Sequence, residues 1–462
     1  MSLEAMWCEM AKLFGTNGIR GVVNVDLTPA FVAKMGTAIG TFLRGGRVLV
    51  GRDGRTSGEM VESAMISSLV STGCRVYRGG MAPTPAHQFG TRFYKMDGGV
   101  ILTASHNPPE YNGIKVIGPS GVEISRSEEL EIERVYFDEG FKMRKWDRMG
   151  SVEETLDVIG PYKDGIKSHV NVDAIKKAHL NVVTDLANGV GALVIPDLLR
   201  ELGCRVVEIN STVNGRFPGR PPEPRPEYLG ELASMVREKG ADLGFACDGD
   251  ADRAIFTDEK GEIYWGDKSF ALIERMFLSK NPGEKVVTPV SSSRIVEDVA
   301  SEFGGEIVWT RVGSVDVSWK MVEIGANLGA EENGGVFYGP HQPLRDAAMA
   351  IALILEIMAE KREPLSQLMK ELPTYYQAKD KVPCPHELKS RALEELRERV
   401  RAERIETIDG LKLWFEDESW ILIRPSGTEP LYRLYAEAKT PRRVKQIVED
   451  HKRIVQKVLS EL

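Results

Sequence analysis

The sequence predicts an α/β protein with three similar α/β domains of mixed, largely parallel sheets and a smaller C-terminal α+β domain. Three observations carry that expectation. The chain has 462 residues, more than one hydrophobic core organises. An internal echo of strand, polar loop, amphipathic helix, glycine and strand recurs three times. After about Leu372 the pattern changes to alternating strands between charged helices.

The first pass starts at RVLV (47–50), runs through GRDGRTSG and the helix-like EMVESAMISSLVSTG, and ends at CRVYRGG. The second starts at NVVT (181–184) and continues through DLANGVG and ALVIPDLLRELG to CRVVEIN. The third starts at KVVTPV (285–290), followed by SRIVEDVASEFG and GEIVWT. Helices between β-branched apolar runs predict a largely parallel sheet in each pass. The last part has a charged helix over 386–403, the strands LKLWFED, SWILIRPSG and LYRLYAEAK, and a final helix over 442–459. These shifts place domains at 1–152, 153–256, 257–371 and 372–462. The Pro- and Arg-rich segment NGRFPGRPPEPRPEYL reads as an ordered surface loop.

Composition sets limits on function. Hydrophobic and charged fractions of 42% and 28% are those of an ordinary soluble globular protein. A formal net charge of −8 makes a general nucleic-acid binder a poor expectation. No apolar run is long enough to span a bilayer. The N-terminal MSLEAMWCEMAK lacks the charged-then-apolar order of a signal peptide, and its first residues have the look of a cloning scar. Five scattered cysteines, Cys8, Cys74, Cys204, Cys247 and Cys384, form no metal-type spacing and read as free thiols in a reducing cytoplasm. His87, His169, His179, His341, His386 and His451 read as surface or packing residues.

Four segments carry chemistry. In TASHNPPEYNGIK, Ser105 lies just past the buried run GGVILT, where open α/β sheets place their sites. A serine there is a nucleophile, a phosphate carrier, or simply a turn residue. In CDGDADRAIF, Asp248, Asp250 and Asp252 alternate after the apolar run LGFAC. Alternate residues of an extended loop project the same way, and three converging carboxylates repel unless a hard cation sits among them. Oxygen-only ligands favour Mg²⁺ over zinc. An EF-hand is the weaker reading, because Arg253 occupies the position that needs glycine and β-like segments flank the loop. In GAEENGG, Glu331, Glu332 and Asn333 offer carboxylate and amide groups suited to sugar hydroxyls, or form a polar turn. In RPSGTEPLYR, Ser426, Gly427 and Thr428 offer hydroxyls and backbone N–H groups beside the forked donors Arg424 and Arg433. That makes a phosphate cradle or an ordinary turn flanked by arginines.

Taken in order, TASHNP, DGDADR, E-x-N-G-G and RPSGTEP, together with FGTNGIRG near the start, closely resemble the signatures of the α-D-phosphohexomutase superfamily. The resemblance covers essentially the whole chain. It implies four domains around a central cleft, and a cytoplasmic enzyme that interconverts hexose 6-phosphate and hexose 1-phosphate. It also implies a phosphoserine and a bound 1,6-bisphosphate intermediate, with the bisphosphate as activator. Ser105 corresponds to the phosphorylated serine. Asp248, Asp250 and Asp252 correspond to the ligands of Mg²⁺, which also touches the serine phosphate. Glu331 and Asn333 correspond to the sugar-recognition loop. Arg424, Ser426, Gly427 and Thr428, with Arg433 beside them, correspond to the loop for the non-transferred phosphate. Arg20, Lys115 and Arg253 match basic residues around the reacting phosphate, and His106 either polarises that phosphate or braces the loop.

Two positions depart from the pattern. Many relatives carry serine where this chain has Asn333 and histidine where it has Gly335, which puts the identity of the sugar in question. Gly427 leans toward glucosamine mutases over mannose/glucose mutases. Phosphopentomutase activity, a Mg²⁺-dependent sugar phosphatase and a non-catalytic binder of sugar bisphosphates are the alternatives. The expected partner is a small phosphosugar, with no nucleic acid and no membrane.

Overall fold

The computed structural model describes residues 13–427 and 429–462; residues 1–12, including Cys8, lie outside the described residues, as does Thr428. The chain divides into two compact units. One runs to Ile263 and includes Asp346–Glu360; the other comprises Tyr264–Arg345 and Lys361–Leu462.

The first unit holds two mixed sheets. The larger contains β1 (Ile19–Val22), β2 (Arg47–Arg52), β3 (Arg75–Met81), β4 (Gly98–Leu102), β5 (Tyr111–Ile117) and β6 (Ser151–Thr155), in the order β1-β5-β4-β2-β3-β6. The other contains β7 (Asn181–Asp185), β8 (Arg205–Ile209), β9 (Leu243–Cys247), β10 (Ala254–Asp258) and β11 (Ile263–Tyr264), in the order β11-β10-β9-β7-β8. In the second unit β12 (Lys285–Pro289), β13 (Glu306–Thr310), β14 (Leu328–Glu331), β15 (Gly335–Tyr338) and β16 (Gln342–Arg345) are ordered β13-β12-β14-β15-β16.

These three sheets repeat one plan. A central strand pairs in parallel with two neighbours: β2 with β3 and β4, β7 with β8 and β9, β12 with β13 and β14. The outer of these strands then turns back into an antiparallel partner, β4 into β5, β9 into β10 and β14 into β15. The echo in the sequence therefore reflects a structural repeat, with RVLV, NVVT and KVVTPV at the equivalent central strand. All five residues of β4 (GGVIL) and of β9 (LGFAC) are buried, as expected of strands covered on both faces. Helices begin with standard caps: Thr28 accepts from the Phe31 N–H ahead of Pro29–Phe42, and Ser125 with Glu128 forms a capping box ahead of Arg126–Phe137.

The fourth sheet is antiparallel throughout. It holds β17 (Tyr376–Pro383), β18 (Arg404–Glu406), β19 (Leu411–Trp414), β20 (Trp420–Pro425) and β21 (Leu431–Ala438), in the order β17-β21-β20-β19-β18. Helix Pro441–Glu461 presents Val444, Ile447, Val448, Val455 and Val458 to its core. Val290, Trp414, Trp420, Leu422 and Tyr435 form a further buried cluster in this unit, in which the Lys412 ammonium lies 4.2 to 4.7 Å from the ring centres of Trp309, Trp414 and Trp420.

The Pro- and Arg-rich loop over 214–228 is ordered but not wholly superficial. Phe217 and Arg220 are buried, and Arg220 donates to the carboxylate of Asp185 and to the backbone carbonyls of Asp185 and Cys247. The helix Ala347–Lys361, which follows the third sheet in the chain, is buried almost throughout and belongs mostly to the first unit. There the Tyr162 hydroxyl donates to Asp346 at 2.5 Å.

Candidate active site

Each of the four motifs occupies the loop between two antiparallel neighbours: β4 and β5, β9 and β10, β14 and β15, β20 and β21. Such a loop is free of ladder hydrogen bonding at its tip, so its backbone can be shaped around a reacting group.

Ser105 is buried and adopts a left-handed backbone with φ of 49°. That region is costly for a residue with a side chain and persists only where surrounding contacts over-determine it. The contacts are present. The Ser105 N–H donates to Thr103 Oγ1 at 2.9 Å, and Thr103 Oγ1 donates to Asp53 Oδ2 at 2.6 Å. Beneath the loop lies Arg55, whose Nη atoms donate to the carbonyls of Ser105, Asn107, Pro108 and Tyr111 at 2.6 to 2.9 Å. Its Nε pairs with Asp53 Oδ2 at 3.1 Å. Burial raises the Asp53 pKa despite the opposing charge of Arg55. The Ser105 hydroxyl is thus held in place, 2.8 Å from Asp248 Oδ2 and 3.3 Å from His106 Nδ1.

Asp248, Asp250 and Asp252 are all buried, and each offers an oxygen within 4.8 Å of the others. Gly249 lets this loop reach the serine, because a Cβ there would fall 2.6 Å from the Ser105 carbonyl oxygen. Burial, and then the charges of Asp252 and Asp250, push the Asp248 pKa well above the carboxylate range. Positive side chains answer the cluster in part. Lys115, on β5 and nearly inaccessible, has Nζ 3.4 Å from Asp250, 3.5 Å from Asp252 and 3.9 Å from Glu123. Arg253 Nε lies 3.7 Å from Asp252 and 4.0 Å from Asp248. Thr84 Oγ1 donates to Asp250 Oδ2 at 2.7 Å. Three buried carboxylates with only oxygen donors fit a hard divalent cation. Arg20, on β1, reaches the serine loop through Asn107 Oδ1 at 2.5 Å.

In the second unit, Glu331 forms a buried ion pair with Arg345 at 3.0 Å. Glu332 accepts from Ser291 at 3.0 Å and from Lys379 at 3.2 Å. Burial pushes the Glu332 pKa up, but Lys379 and Ser291 outweigh it and hold the carboxyl below its ordinary value. Asn333 Oδ1 accepts from the Gly335 N–H at 3.2 Å. At the end of β20 Arg424 pairs with Asp409 at 2.9 Å, and on β21 Arg433, opposite Arg424 in the ladder, pairs with Glu429. Ser426 is buried, and Gly427 follows it at the loop's surface. Lys389 donates to the carbonyls of Ser426 and Glu429 at 2.6 and 2.7 Å.

Ser105, His106, Lys115, Arg253 and the three aspartates are therefore brought together in the first unit, with Arg20 linked through Asn107. In the second unit Glu331, at the end of β14, and Asn333 belong to one strand-to-strand turn, and Arg424 on β20, Ser426 and Gly427 in the loop and Arg433 on β21 belong to another. Sequence reading missed Arg55, Arg345, Lys379 and Lys389. Only Arg55 had a local signal, in the polar loop GRDGRTSG straight after a central strand.

Among the described residues no helix is long and apolar enough to cross a membrane. Four family profiles match in succession: the phosphoglucomutase/phosphomannomutase α/β/α domains I, II and III at residues 11–143, 160–261 and 265–376, and the C-terminal domain at 369–454. A phosphoglucomutase/phosphomannomutase of Thermococcus kodakarensis is 45% identical over 95% of this chain and 97% of its own. A phosphoglucosamine/phosphogalactosamine mutase of Sulfurisphaera tokodaii is 44% identical over 97% of this chain and 100% of its own. The crystal structure of a phosphoglucomutase/phosphomannomutase family protein from Burkholderia thailandensis is similar with a TM-score of 0.86 and 29% identity, covering 96% of this chain and 97% of that one. With four consecutive domain matches and full-length relatives, the chain belongs to the phosphoglucomutase/phosphomannomutase family and is a phosphohexomutase, an isomerase that moves a phosphoryl group within its substrate.

Proposed function

We propose that the enzyme interconverts hexose or hexosamine 6-phosphates and 1-phosphates through a phosphorylated Ser105 and a hexose 1,6-bisphosphate. The observation that carries this reading is the buried Ser105 hydroxyl, held 2.8 Å from a cluster of three buried carboxylates.

The phosphoryl group on Ser105 Oγ passes to the free hydroxyl of the bound sugar phosphate, forming one P–O bond and breaking another. The proton of that hydroxyl ends on Ser105 Oγ, with Lys115 as the relay. The bisphosphate then turns over, and the phosphate it arrived with returns to Ser105, so no water is consumed. Asp248, Asp250 and Asp252 are the residues that would hold Mg²⁺, which when bound supplies positive charge beside the transferring oxygens. Lys115, Arg253 and Arg20 add fixed positive charge on the same side, and His106 orients or polarises the phosphate. Phosphoryl transfer needs little covalent help from a protein, so positioning and charge account for most of the rate. Burial of Ser105 keeps water from the phosphoserine. Glu331 and Asn333 read hydroxyls common to both orientations of the sugar. Arg424, Ser426, Gly427, Thr428 and Arg433 bind the phosphate that is not transferred.

The relatives named for glucose/mannose and for glucosamine/galactosamine leave both sugar classes as candidates, so the test ranks them. Intact mass and peptide mapping locate phosphate on the purified protein. A coupled assay with Mg²⁺ and a catalytic amount of sugar bisphosphate then compares glucosamine, mannose, glucose and ribose phosphates. Phosphate on Ser105, and isomerisation abolished in Ser105→Ala, is the expected result. Release of inorganic phosphate without isomerised product would replace this reading with a sugar phosphatase. Tight bisphosphate binding without turnover would replace it with a binder.

A further inference from the structure

We infer that Arg345 is a sugar-reading residue, which pairs with Glu331 to present a carboxylate and a guanidinium side by side to a pair of neighbouring sugar hydroxyls. This rests on the reading of 331–335 as the sugar loop.

The inference starts from Gly335. A Cβ at this position would fall 2.5 Å from Arg345 Cδ and 2.8 Å from Arg345 Cγ. The space a side chain at 335 would take is therefore filled by the stem of Arg345. Glu331 and Gly335 face each other in the β14–β15 register, and Arg345 lies opposite Phe337 across a bulged β15–β16 pair. Arg345 therefore reaches back over Gly335 to Glu331, with Nη1 3.0 Å from Oε2. Both side chains are about 5% exposed or less. The neighbouring carboxylate, Glu332, is occupied by Ser291 and Lys379, so the two glutamates have separate counter-cations.

The chemistry of the pair follows. A carboxylate only accepts hydrogen bonds and a guanidinium only donates them. A sugar hydroxyl does both, so a vicinal pair of hydroxyls can give to Glu331 and receive from Arg345. Burial makes the arrangement selective, because a sugar lacking either hydroxyl forfeits a charge-assisted hydrogen bond at a site closed to water. Gly335 and Arg345 work as a unit: any side chain at 335 displaces the arginine.

The test compares Arg345→Met, Arg345→Lys, Glu331→Gln and Gly335→Ala in the full-length enzyme, using glucose 1-phosphate and its 3-deoxy and 4-deoxy analogues. Arg345→Met is expected to raise KM by about 10- to 100-fold with a smaller change in kcat, and to lose part of the discrimination against one deoxy analogue. Gly335→Ala should raise KM similarly, and adding it to Arg345→Met should cost nothing more. A purely structural arginine would lower melting temperature and leave the ratio between parent and deoxy sugars unchanged; that ratio, measured in Arg345→Lys if Arg345→Met does not fold, would overturn the inference if it matched wild type. Glu331→Gln separates the two ideas. If it raises KM and Arg345→Met does not, only the role of Arg345 fails. If neither does, the sugar-loop reading itself fails.

Discussion

Replacing Arg55 by lysine tests whether the serine loop is positioned by a distant charge or merely stabilised by it. Arg55 donates to four backbone carbonyls between Ser105 and Tyr111 and pairs with buried Asp53. Removing the cation entirely would strand the Asp53 carboxylate, at a cost of about 3–5 kcal/mol. That is a large part of a typical stability of about 5–15 kcal/mol, so Arg55→Met would confound folding with function. Arg55→Lys keeps the charge for Asp53 but gives three donors from one point instead of a planar fork. It can serve one or two of the four carbonyls, which leaves at least two short of a partner. With charged hydrogen bonds worth about 1.5–3 kcal/mol each, and water able to replace some, a stability loss of about 2–4 kcal/mol is expected. The functional loss should be larger in relative terms. Ser105 has φ of 49°, so without its clamp the backbone relaxes toward ordinary regions and carries the hydroxyl off Asp248. A displacement of about 1 Å costs about 100-fold in rate. The assays are kcat and KM in the coupled mutase reaction, melting temperature, and the rate at which phosphorylated protein loses phosphate to water, followed by intact mass. A kcat lower by about 100-fold, with KM nearly unchanged and the protein still folded, is the expected outcome. An Arg55→Lys enzyme that melts earlier but turns over within about threefold of wild type would refute the reasoning.

Three further outcomes follow from buried charges. Lys389→Met should loosen the loop after β20, whose Ser426 and Glu429 carbonyls it holds, and raise KM for sugar phosphate by about tenfold while sparing kcat; an unchanged KM would detach that loop from phosphate binding. Burial, then the charge of Glu332, raises the Asp267 pKa from 3.8 to about 7, so its contribution to stability is intact below pH 3.8 and is lost as pH rises through about 7. Asp267→Asn should therefore raise stability at pH 8 by roughly 2–4 kcal/mol and leave it unchanged near pH 4, and denaturant titrations showing equal effects at both would contradict this. His87 is buried, and burial lowers its pKa from 6.5 to about 4 against a weaker opposing influence from the Arg52 backbone. The unfolded chain takes up that proton first, so about 3 kcal/mol is lost as pH falls from 6.5 toward 4; His87→Phe should flatten the melting curve over that range, and a slope as steep as wild type would point to other groups.

What was legible in the sequence was what lies close together along it. The three central strands are contiguous apolar runs, and each motif loop sits within a dozen residues of its strand, so both could be read directly. The strand β17 was not seen because YQAKDKVP is polar, and its residues are mostly exposed or half-buried beside β21. A strand with only one neighbour can carry lysines that an interior strand cannot. β5 lies within the motif segment TASHNPPEYNGIK, where no strand is expected, yet Tyr111–Ile117 is a largely buried strand that holds Lys115 in register opposite Ile101. Arg55 and Arg345 escaped because their meaning depends on partners brought close only by the fold. Arg55 serves carbonyls about fifty residues away, and Arg345 reaches Glu331 across a bulge.

The clamps have a common physical cause. A loop that turns a strand back on its neighbour leaves carbonyls without ladder partners, and a buried carbonyl must find a donor. Neutral side chains supply one or two donors each and would need to be numerous. A single arginine supplies five and a lysine three, from one buried point. Arg55 does this for the serine loop, Arg220 for the end of β7 and for the end of β9, which leads into the aspartate loop, and Lys389 for the loop after β20. The choice of cations has a second consequence, because each of these loops is expected to face phosphate or a metal–carboxylate cluster, and positive charge beneath it offsets the charge above. Mutations in the motifs and in the clamps should then separate cleanly. Replacing Ser105 or an aspartate removes a reacting group and abolishes turnover in a folded protein. Replacing a clamp leaves every reacting group present but poorly aimed, so activity falls in steps that follow the number of carbonyls released.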